Sequence, residues 1–200
     1  MTRVLVLYYS SFGHTAELAT SIQAGAKSAG ADTALMRVPE LVPESVAKAA
    51  GYRPSQDVPI ASVNDLTEFD AIVFGSPTRF GNMSAQMRNF LDQTGPLWAK
   101  GSLIGKVASV FTSTSSQHGG QETTILSFYP TLIHHGMIIV GIPYSAPELV
   151  EMKEIMGGSP YGAATIIRGP DKGTVTAKEL ALAHFQGVHV TRIASKLSSK

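Results

Sequence analysis

Apolar positions along the chain switch repeatedly between two periods. Val4-Leu5-Val6-Leu7-Tyr8-Tyr9 is a continuous apolar run, the pattern of a strand buried on both faces of a parallel sheet. Leu18, Ala19, Ile22 and Ala26 follow at helical spacing, so a helix lays one apolar face on its surroundings. Residues 33–38 read as a second strand, ended by Pro39. Residues 70–75, 106–111 and 136–141 read as the third, fourth and fifth. Helices are expected from near Ser84 to about Gln93, from Gln121 to Leu132, and from near Thr176 towards Leu197. Gly95-Pro96-Leu97-Trp98 closes the unit that contains the first of these. Two stretches break the rhythm. Residues 40–66 carry Pro43, Pro54 and Pro59 around one short helix near residues 44–50, and residues 144–173 carry five glycines and three prolines. Both are long for connections inside an α/β domain and read as excursions suited to covering a neighbour.

Strands separated by helices imply a parallel sheet with right-handed crossovers. The expected fold is α/β: a flavodoxin-like doubly wound sheet of five parallel strands in the order 2-1-3-4-5, with helices on both faces. Residues 1–200 would form a single domain with the two excursions attached. Ligands of such sheets sit at the carboxyl ends of the strands, near the point where strand order reverses. Three loops fall on that edge, at 10–15, 76–82 and 112–120.

The first, Ser10-Ser11-Phe12-Gly13-His14-Thr15, crowds three hydroxyls and a glycine into a strand-to-helix turn. Backbone N–H groups at a helix start, with hydroxyls beside them, make a phosphate cradle. No Gly-x-Gly-x-x-Gly is present here, so the dinucleotide fingerprint is missing. No Gly-Lys-Ser/Thr is present either, which excludes a nucleoside-triphosphate P-loop. The loop contains no Lys or Arg. Neutral donors and a helix dipole suit the monophosphate of a resident cofactor. An ordinary turn with hydroxyl caps is the plain alternative. The loops at 76–82 and 112–120 would flank a flat ring with backbone N–H and C=O groups, with Phe80 and Trp98 stacking or closing over it.

Composition narrows the possibilities further. A chain that is 44% hydrophobic and 16% charged belongs among globular proteins. Its net charge is +1 with no run of Lys or Arg, which argues against nucleic acid as a partner. No apolar run reaches the ~18 residues that span a bilayer, and Met1-Thr2-Arg3 leads straight into a strand without signal-peptide organisation. Cysteine is absent, excluding disulfides, thiol catalysis and Cys-ligated metal or iron–sulfur sites. A cytoplasmic location is expected. The six histidines show no His-x-x-x-His spacing, so no metal site is expected.

Longer strings carry a family resemblance. Tyr8-Tyr9-Ser10-Ser11-Phe12-Gly13-His14-Thr15, Gly75-Ser76-Pro77-Thr78-Arg79-Phe80-Gly81-Asn82-Met83, Phe90-Leu91-Asp92-Gln93-Thr94-Gly95-Pro96-Leu97-Trp98, His134-His135-Gly136-Met137 and Gly157-Gly158-Ser159-Pro160-Tyr161-Gly162-Ala163 resemble the WrbA family of flavodoxin-like NAD(P)H:quinone oxidoreductases. The resemblance runs from residue 3 to about residue 197 and includes both excursions. It implies FMN, bound without covalent attachment, with NADH or NADPH as co-substrate and a quinone as acceptor. Two electrons would pass by ping-pong hydride transfer through the flavin, and no protein nucleophile is expected. By position Ser10, Ser11, Phe12, Gly13, His14 and Thr15 would take the phosphate. Pro77, Thr78, Arg79 and Phe80 would line the isoalloxazine. Ser113, Thr114, Ser115, Ser116, Gln117 and His118 would run along its other polar side, and His134 would reach it from a helix end. Phe12, Phe80 and Trp98 would meet the substrate. Arg79 and His134 are the candidates to stabilise negative charge on the flavin. The resemblance also implies a homotetramer, a dimer of dimers whose sites are completed by neighbouring subunits. Two departures stand out: Phe12 lacks the hydroxyl of the Tyr common there, and the loop at 112–120 is more polar than the family's glycine-rich version.

Plainer roles exist for several of these residues. Arg79 reads also as one partner of a surface ion pair. His134 and His135 read as an ordinary helix terminus. His14 reads as a phosphate donor or a simple exposed histidine, Trp98 as a core or interface aromatic, and Met83 and Met87 as core packing. A one-electron flavodoxin-type carrier is the alternative function. Such carriers are strongly acidic so that charge steers docking, and a net charge of +1 argues against it.

Overall fold

The computed structural model describes residues 1–53, 57–151, 153–167 and 174–198. Pro54 of the first excursion, and residues 152 and 168–173 of the second, lie outside the described residues. The chain opens with β1 (Arg3–Tyr8) and α1 (His14–Ser28), then β2 (Asp32–Arg37), α2 (Glu44–Ala49) and a 3-10 segment at Val63–Glu68. β3 (Ala71–Pro77), α3 (Ala85–Asp92) and the short α4 (Gly95–Ala99) follow, then β4 (Val107–Thr114), α5 (Gln121–His134) and β5 (Ile138–Ile139). A 3-10 turn at Pro147–Leu149, β6 (Ala164–Ile166) and α6 (Ala177–Ser198) complete it.

All pairings in the sheet are parallel, in the order β2-β1-β3-β4-β5, with β6 also pairing β4. The doubly wound order read from the sequence is therefore the observed one. Side chains of the central strands alternate between two cores, as strand geometry requires. Leu5, Leu7, Ile72, Phe74, Ala108 and Val110 meet Met87, Phe90, Ile125, Phe128 and Leu132 of α3 and α5 on one face. Val4, Val6, Val73, Val107 and Phe111 meet Leu18, Ile22, Leu182 and Val190 of α1 and α6 on the other. These last two helices touch backbone to backbone. A Cβ on Gly25 would lie 2.0 Å from the His184 carbonyl oxygen, and one on Gly187 2.0 Å from that of Ile22. Ser84 caps α3, accepting from the Met87 N–H, as its place before the helical pattern predicts.

The edge of the sheet departs from expectation. The fifth strand, read as residues 136–141, is only the two residues of β5, which pair with Val107 and Ala108. Farther along β4, its place is taken by β6, where Thr112, Ser113 and Thr114 face Ala164, Thr165 and Ile166. The edge strand is thus split, and residues 140–163 are inserted between its halves. This pairing also turns Thr112, Ser113 and Thr114, read as loop, into the last three residues of β4. β3 likewise runs on to Pro77. The first excursion folds back on its own chain: Ala61 N–H donates to the Arg37 carbonyl at 2.9 Å, and Arg53 N–H to the Ser11 carbonyl at 2.7 Å.

Candidate functional site

The site is built where β1, β3 and β4 empty at the carboxyl edge of the sheet. After Tyr8 the chain turns sharply and enters α1 through Gly13, whose φ is 104°. A Cβ there would meet nothing within 4 Å, so glycine is required by the left-handed backbone and not by space. Ser10 Oγ accepts the Gly13 N–H at 3.0 Å and braces the turn. No side chain caps α1, and its first helix-type bond runs from Glu17 N–H to the Gly13 carbonyl at 2.9 Å. The positive end of the helix dipole is therefore presented at this loop. Thr15 Oγ1 and Ser113 Oγ lie 2.9 Å apart, joining the first loop to the end of β4.

The second loop is tied down from both sides. Thr78 N–H donates to the Ser113 carbonyl at 2.9 Å, and Thr124 Oγ1 of α5 donates to Thr78 Oγ1 at 2.7 Å. Thr78 Oγ1 also accepts the Gly81 N–H at 3.2 Å. A tight bridge pairs Arg79 with Asn82 and forces Phe80 to a φ of 52° with its ring fully exposed. A bulky residue held left-handed and in water stores strain of the kind found at functional sites. Arg79 donates to the Thr78 carbonyl at 2.9 Å and to Ser11 Oγ at 3.0 Å. Among the described residues no carboxylate pairs with it.

Ser10, Ser11, Phe12, His14, Thr15, Pro77, Thr78, Arg79, Ser113, Thr114, Ser115 and Ile167 line one cavity of about 120 Å³. His14 is 5% exposed, which removes its reading as a simple surface histidine. Ligand sites usually measure ~300–1,000 Å³, so the enclosed part holds one end of a ligand and leaves the rest at the mouth. The donor set fits that end being a phosphate: the Ser10 hydroxyl, the one proton that the paired Thr15 and Ser113 hydroxyls leave free, and a helix start with glycine at its cap. The residues present therefore fit the phosphate of FMN, with Arg79 in the lining and Phe80, the next residue, outside it.

Other expected site residues stand elsewhere. Ser116 and His118 do not line the cavity, because β6 pairs Thr112 to Thr114 into the sheet and the loop leaves only after them. Gln117 borders a different cavity, of about 390 Å³, beside residues 153–158. His134 is the last residue of α5. Fourteen residues at ~1.5 Å per residue put it roughly 20 Å from the helix start at the cavity. It does not reach the cavity of its own chain. Trp98, 58% exposed, shares that distant end. Thr94 Oγ1, just before α4, and His135 Nε2, just after α5, are 2.8 Å apart. Of the two histidines, His135 is the buried one, and burial, then the charge of His134, lowers its pKa. Ile167, missing from the sequence reading, follows a three-residue strand within a glycine-rich stretch, which gives no periodic signal.

Comparison with known proteins places this geometry in context. Residues 2–148 match the model of the NADPH-dependent FMN reductase family. The chain is 57% identical, over 98% of its own length and 94% of the relative's, to NAD(P)H dehydrogenase (quinone) 3 of Rhizobium meliloti (strain 1021). Among solved structures it is similar to a flavodoxin, WrbA-like protein from Agrobacterium tumefaciens, with 22% identity and a TM-score of 0.70 over 98% of this chain and 99% of that one. A flavodoxin from the domain Archaea matches at 19% identity and a TM-score of 0.63, covering 97% and 99%. These two likenesses show the flavodoxin-like fold.

Proposed function

The chain belongs to the NADPH-dependent FMN reductase family, and from that membership and the cavity at its sheet edge we propose that it is an FMN-dependent NAD(P)H:quinone oxidoreductase. The observation that carries the reading is the convergence of three loops on one phosphate-sized cavity with Arg79 at its mouth. The 57% identical relative named NAD(P)H dehydrogenase (quinone) 3 supplies the choice of acceptor. FMN, when bound, supplies the redox chemistry, accepting a hydride from NADH or NADPH and passing two electrons to a quinone. Ser10, Thr15, Ser113 and the start of α1 would hold its phosphate. Pro77, Thr78 and the exposed Phe80 would border its ring, and the Arg79 guanidinium would favour negative charge there. Ordered donors of this kind are pre-paid by the fold, since the loops are already braced by Thr124 and by the Thr15–Ser113 contact.

One chain builds one side of the ring site only. Trp98 and His134 lie together at the far end of the sheet, near the exposed Ile104 and Ile133. Gly105 N–H donates to the Gly136 carbonyl at 2.9 Å, keeping the α4 and α5 ends side by side. An exposed apolar face of this kind marks an interaction surface. We read it as the face that a second copy presents to the cavity in a homotetramer, which accounts for residues that resemble flavin and substrate contacts standing so far from the cradle. Among the described residues no helix is long and apolar enough to cross a membrane, and a cytoplasmic site of action goes with the nicotinamide co-substrate.

A visible spectrum under anaerobic conditions tests the function. Added FMN should bind, its absorbance should bleach with NADH or NADPH, and benzoquinone should restore it. Binding without bleaching would favour the one-electron carrier, and no binding would mean that the three loops are misread. Sizing at micromolar protein with FMN should give a tetramer. A monomer that nevertheless turns over would remove Trp98 and His134 from the site.

A further inference from the structure

Arg79 is the end of a chain of side-chain hydrogen bonds that leads out of the cavity into the first excursion. Its Nη2 donates to Ser11 Oγ at 3.0 Å. Ser11 Oγ donates to the Tyr9 hydroxyl at 3.2 Å, and Tyr9 donates to Glu40 Oε2 at 2.6 Å. Every proton points the same way, from guanidinium to carboxylate. Tyr9 is 4% and Ser11 3% exposed, so the middle of the chain is made of buried side chains. The other Glu40 oxygen accepts from Gln86 Nε2 at 2.6 Å, Leu41 N–H at 2.9 Å and Val42 N–H at 3.1 Å.

The chain has one orientation only. Burial pushes the Glu40 carboxyl up, but the bonds from Tyr9, Gln86 and the two backbone N–H groups outweigh it and hold the group below its ordinary value. Burial, reinforced by the bond to Glu40, drives the Tyr9 hydroxyl far above its ordinary value. At neutral pH Glu40 is thus an acceptor and Tyr9 a donor. With its proton committed to Tyr9, the Ser11 hydroxyl offers Arg79 a lone pair. Its hydroxyl proton is therefore already used, and a phosphate in the cavity would meet Ser11 through its backbone N–H.

We propose that Glu40 and Tyr9 are positioning residues for Arg79: they fix the Ser11 hydroxyl as an acceptor and so hold the guanidinium at the cavity mouth, where it favours the charge gained on flavin reduction. The inference rests on the FMN reading above. It also predicts a sign. The Glu40 charge acting directly on the flavin would oppose reduction, so removing it would raise the midpoint potential. Losing the positioning of Arg79 lowers it instead. Tyr9→Phe separates the two, because it breaks the chain and leaves the Glu40 charge in place.

Two measurements on Tyr9→Phe, Glu40→Gln and Ser11→Ala test this, with circular dichroism melts to confirm folding. In the FMN-free protein, NMR relaxation of the Arg79 Nε–H should show order lost in all three variants. In the FMN-loaded protein, the two-electron midpoint potential should fall in all three. We expect about a tenfold loss in relative affinity for reduced over oxidised FMN, about 30 mV for a two-electron couple. Unchanged Arg79 order in Tyr9→Phe, an unchanged potential in it, or a raised potential in Glu40→Gln would each overturn the proposal. If one variant fails to fold, Tyr9→Phe, which removes a single oxygen, decides alone. A wild-type protein that binds no FMN would sink the functional reading, and the NMR measurement would still decide the positioning.

Discussion

Replacing Glu179 with alanine is expected to destabilise the fold by about 4 kcal/mol, the scale for stripping a partner from a buried charged network. The side chain is fully buried at the start of α6. Its Oε1 accepts the N–H groups of Gly157 at 2.9 Å and Ile166 at 3.0 Å. Its Oε2 accepts from Thr165 Oγ1 at 3.0 Å, Thr176 N–H at 3.0 Å and Thr176 Oγ1 at 2.9 Å. Alanine would leave the Gly157, Thr165 and Ile166 donors buried without that acceptor and the two Thr176 donors part-buried without it. The carboxylate therefore fastens the chain on both sides of residues 168–173 and holds β6 beside β4, paired with Ser113 and Thr114 of the cavity. A chemical melt at pH 7 measures the loss, and a change under about 1 kcal/mol would refute it. The pH dependence has a definite sign. Burial pushes the Glu179 carboxyl up, but the bonds from Gly157, Ile166 and Thr176 win and leave it below its ordinary 4.5. A group lowered in the folded state stabilises fully above its unfolded value and loses that contribution as pH falls through the folded one. Stability should thus decline below about pH 4.5, and less steeply in Glu179→Gln, which does not titrate.

What could be read from the sequence follows from how far each signal extends along the chain. The runs at Val4 to Tyr9 and Ala71 to Gly75 alternate between two cores, and the helix faces at Leu18, Ile22 and Ala26 are periodic, so the strand order was legible. Ser10 to Thr15 was legible as a cradle because a turn chemistry sits between those two patterns. β6 was not, since three residues in a glycine-rich stretch have no period, and only pairing with Thr112 to Thr114 makes them a strand. The same omission moved the boundary of the third loop and put Ser116, Gln117 and His118 at the cavity when only Ser113, Thr114 and Ser115 line it. Glu40 was unreadable as a site neighbour for another reason. It lies 31 residues from Tyr9 in an irregular segment, and nothing local shows where an excursion folds back. Trp98 and His134 mark a third limit: in the proposed assembly they would serve a neighbouring copy, and such residues leave no mark on their own chain's cavity.

Converting Ser10 and Thr15 together to alanine should weaken FMN binding by about 100- to 10,000-fold while leaving the fold intact. Each hydroxyl that donates to a phosphate makes a charge-assisted hydrogen bond worth about 1.5–3 kcal/mol, and no Lys or Arg in the loop compensates. Thr15 is buried against Ser113, with the two oxygens 2.9 Å apart. Its removal takes one donor and also frees Ser113 to turn away from the cavity. Ser10 contributes twice, through its own proton and by accepting the Gly13 N–H that keeps the turn in its left-handed shape. Fluorescence quenching of FMN titrated with the apoprotein gives the dissociation constant directly. Riboflavin, which lacks the phosphate, is the control. Its weaker binding should be the same in the variant and the wild type, because in the proposed site the two hydroxyls would face the end of the ligand that riboflavin does not have. An equal loss for riboflavin and FMN would place Ser10 and Thr15 against the ring or the ribityl chain. An unchanged FMN affinity would leave the phosphate to the backbone of α1 alone and take both hydroxyls out of the cradle.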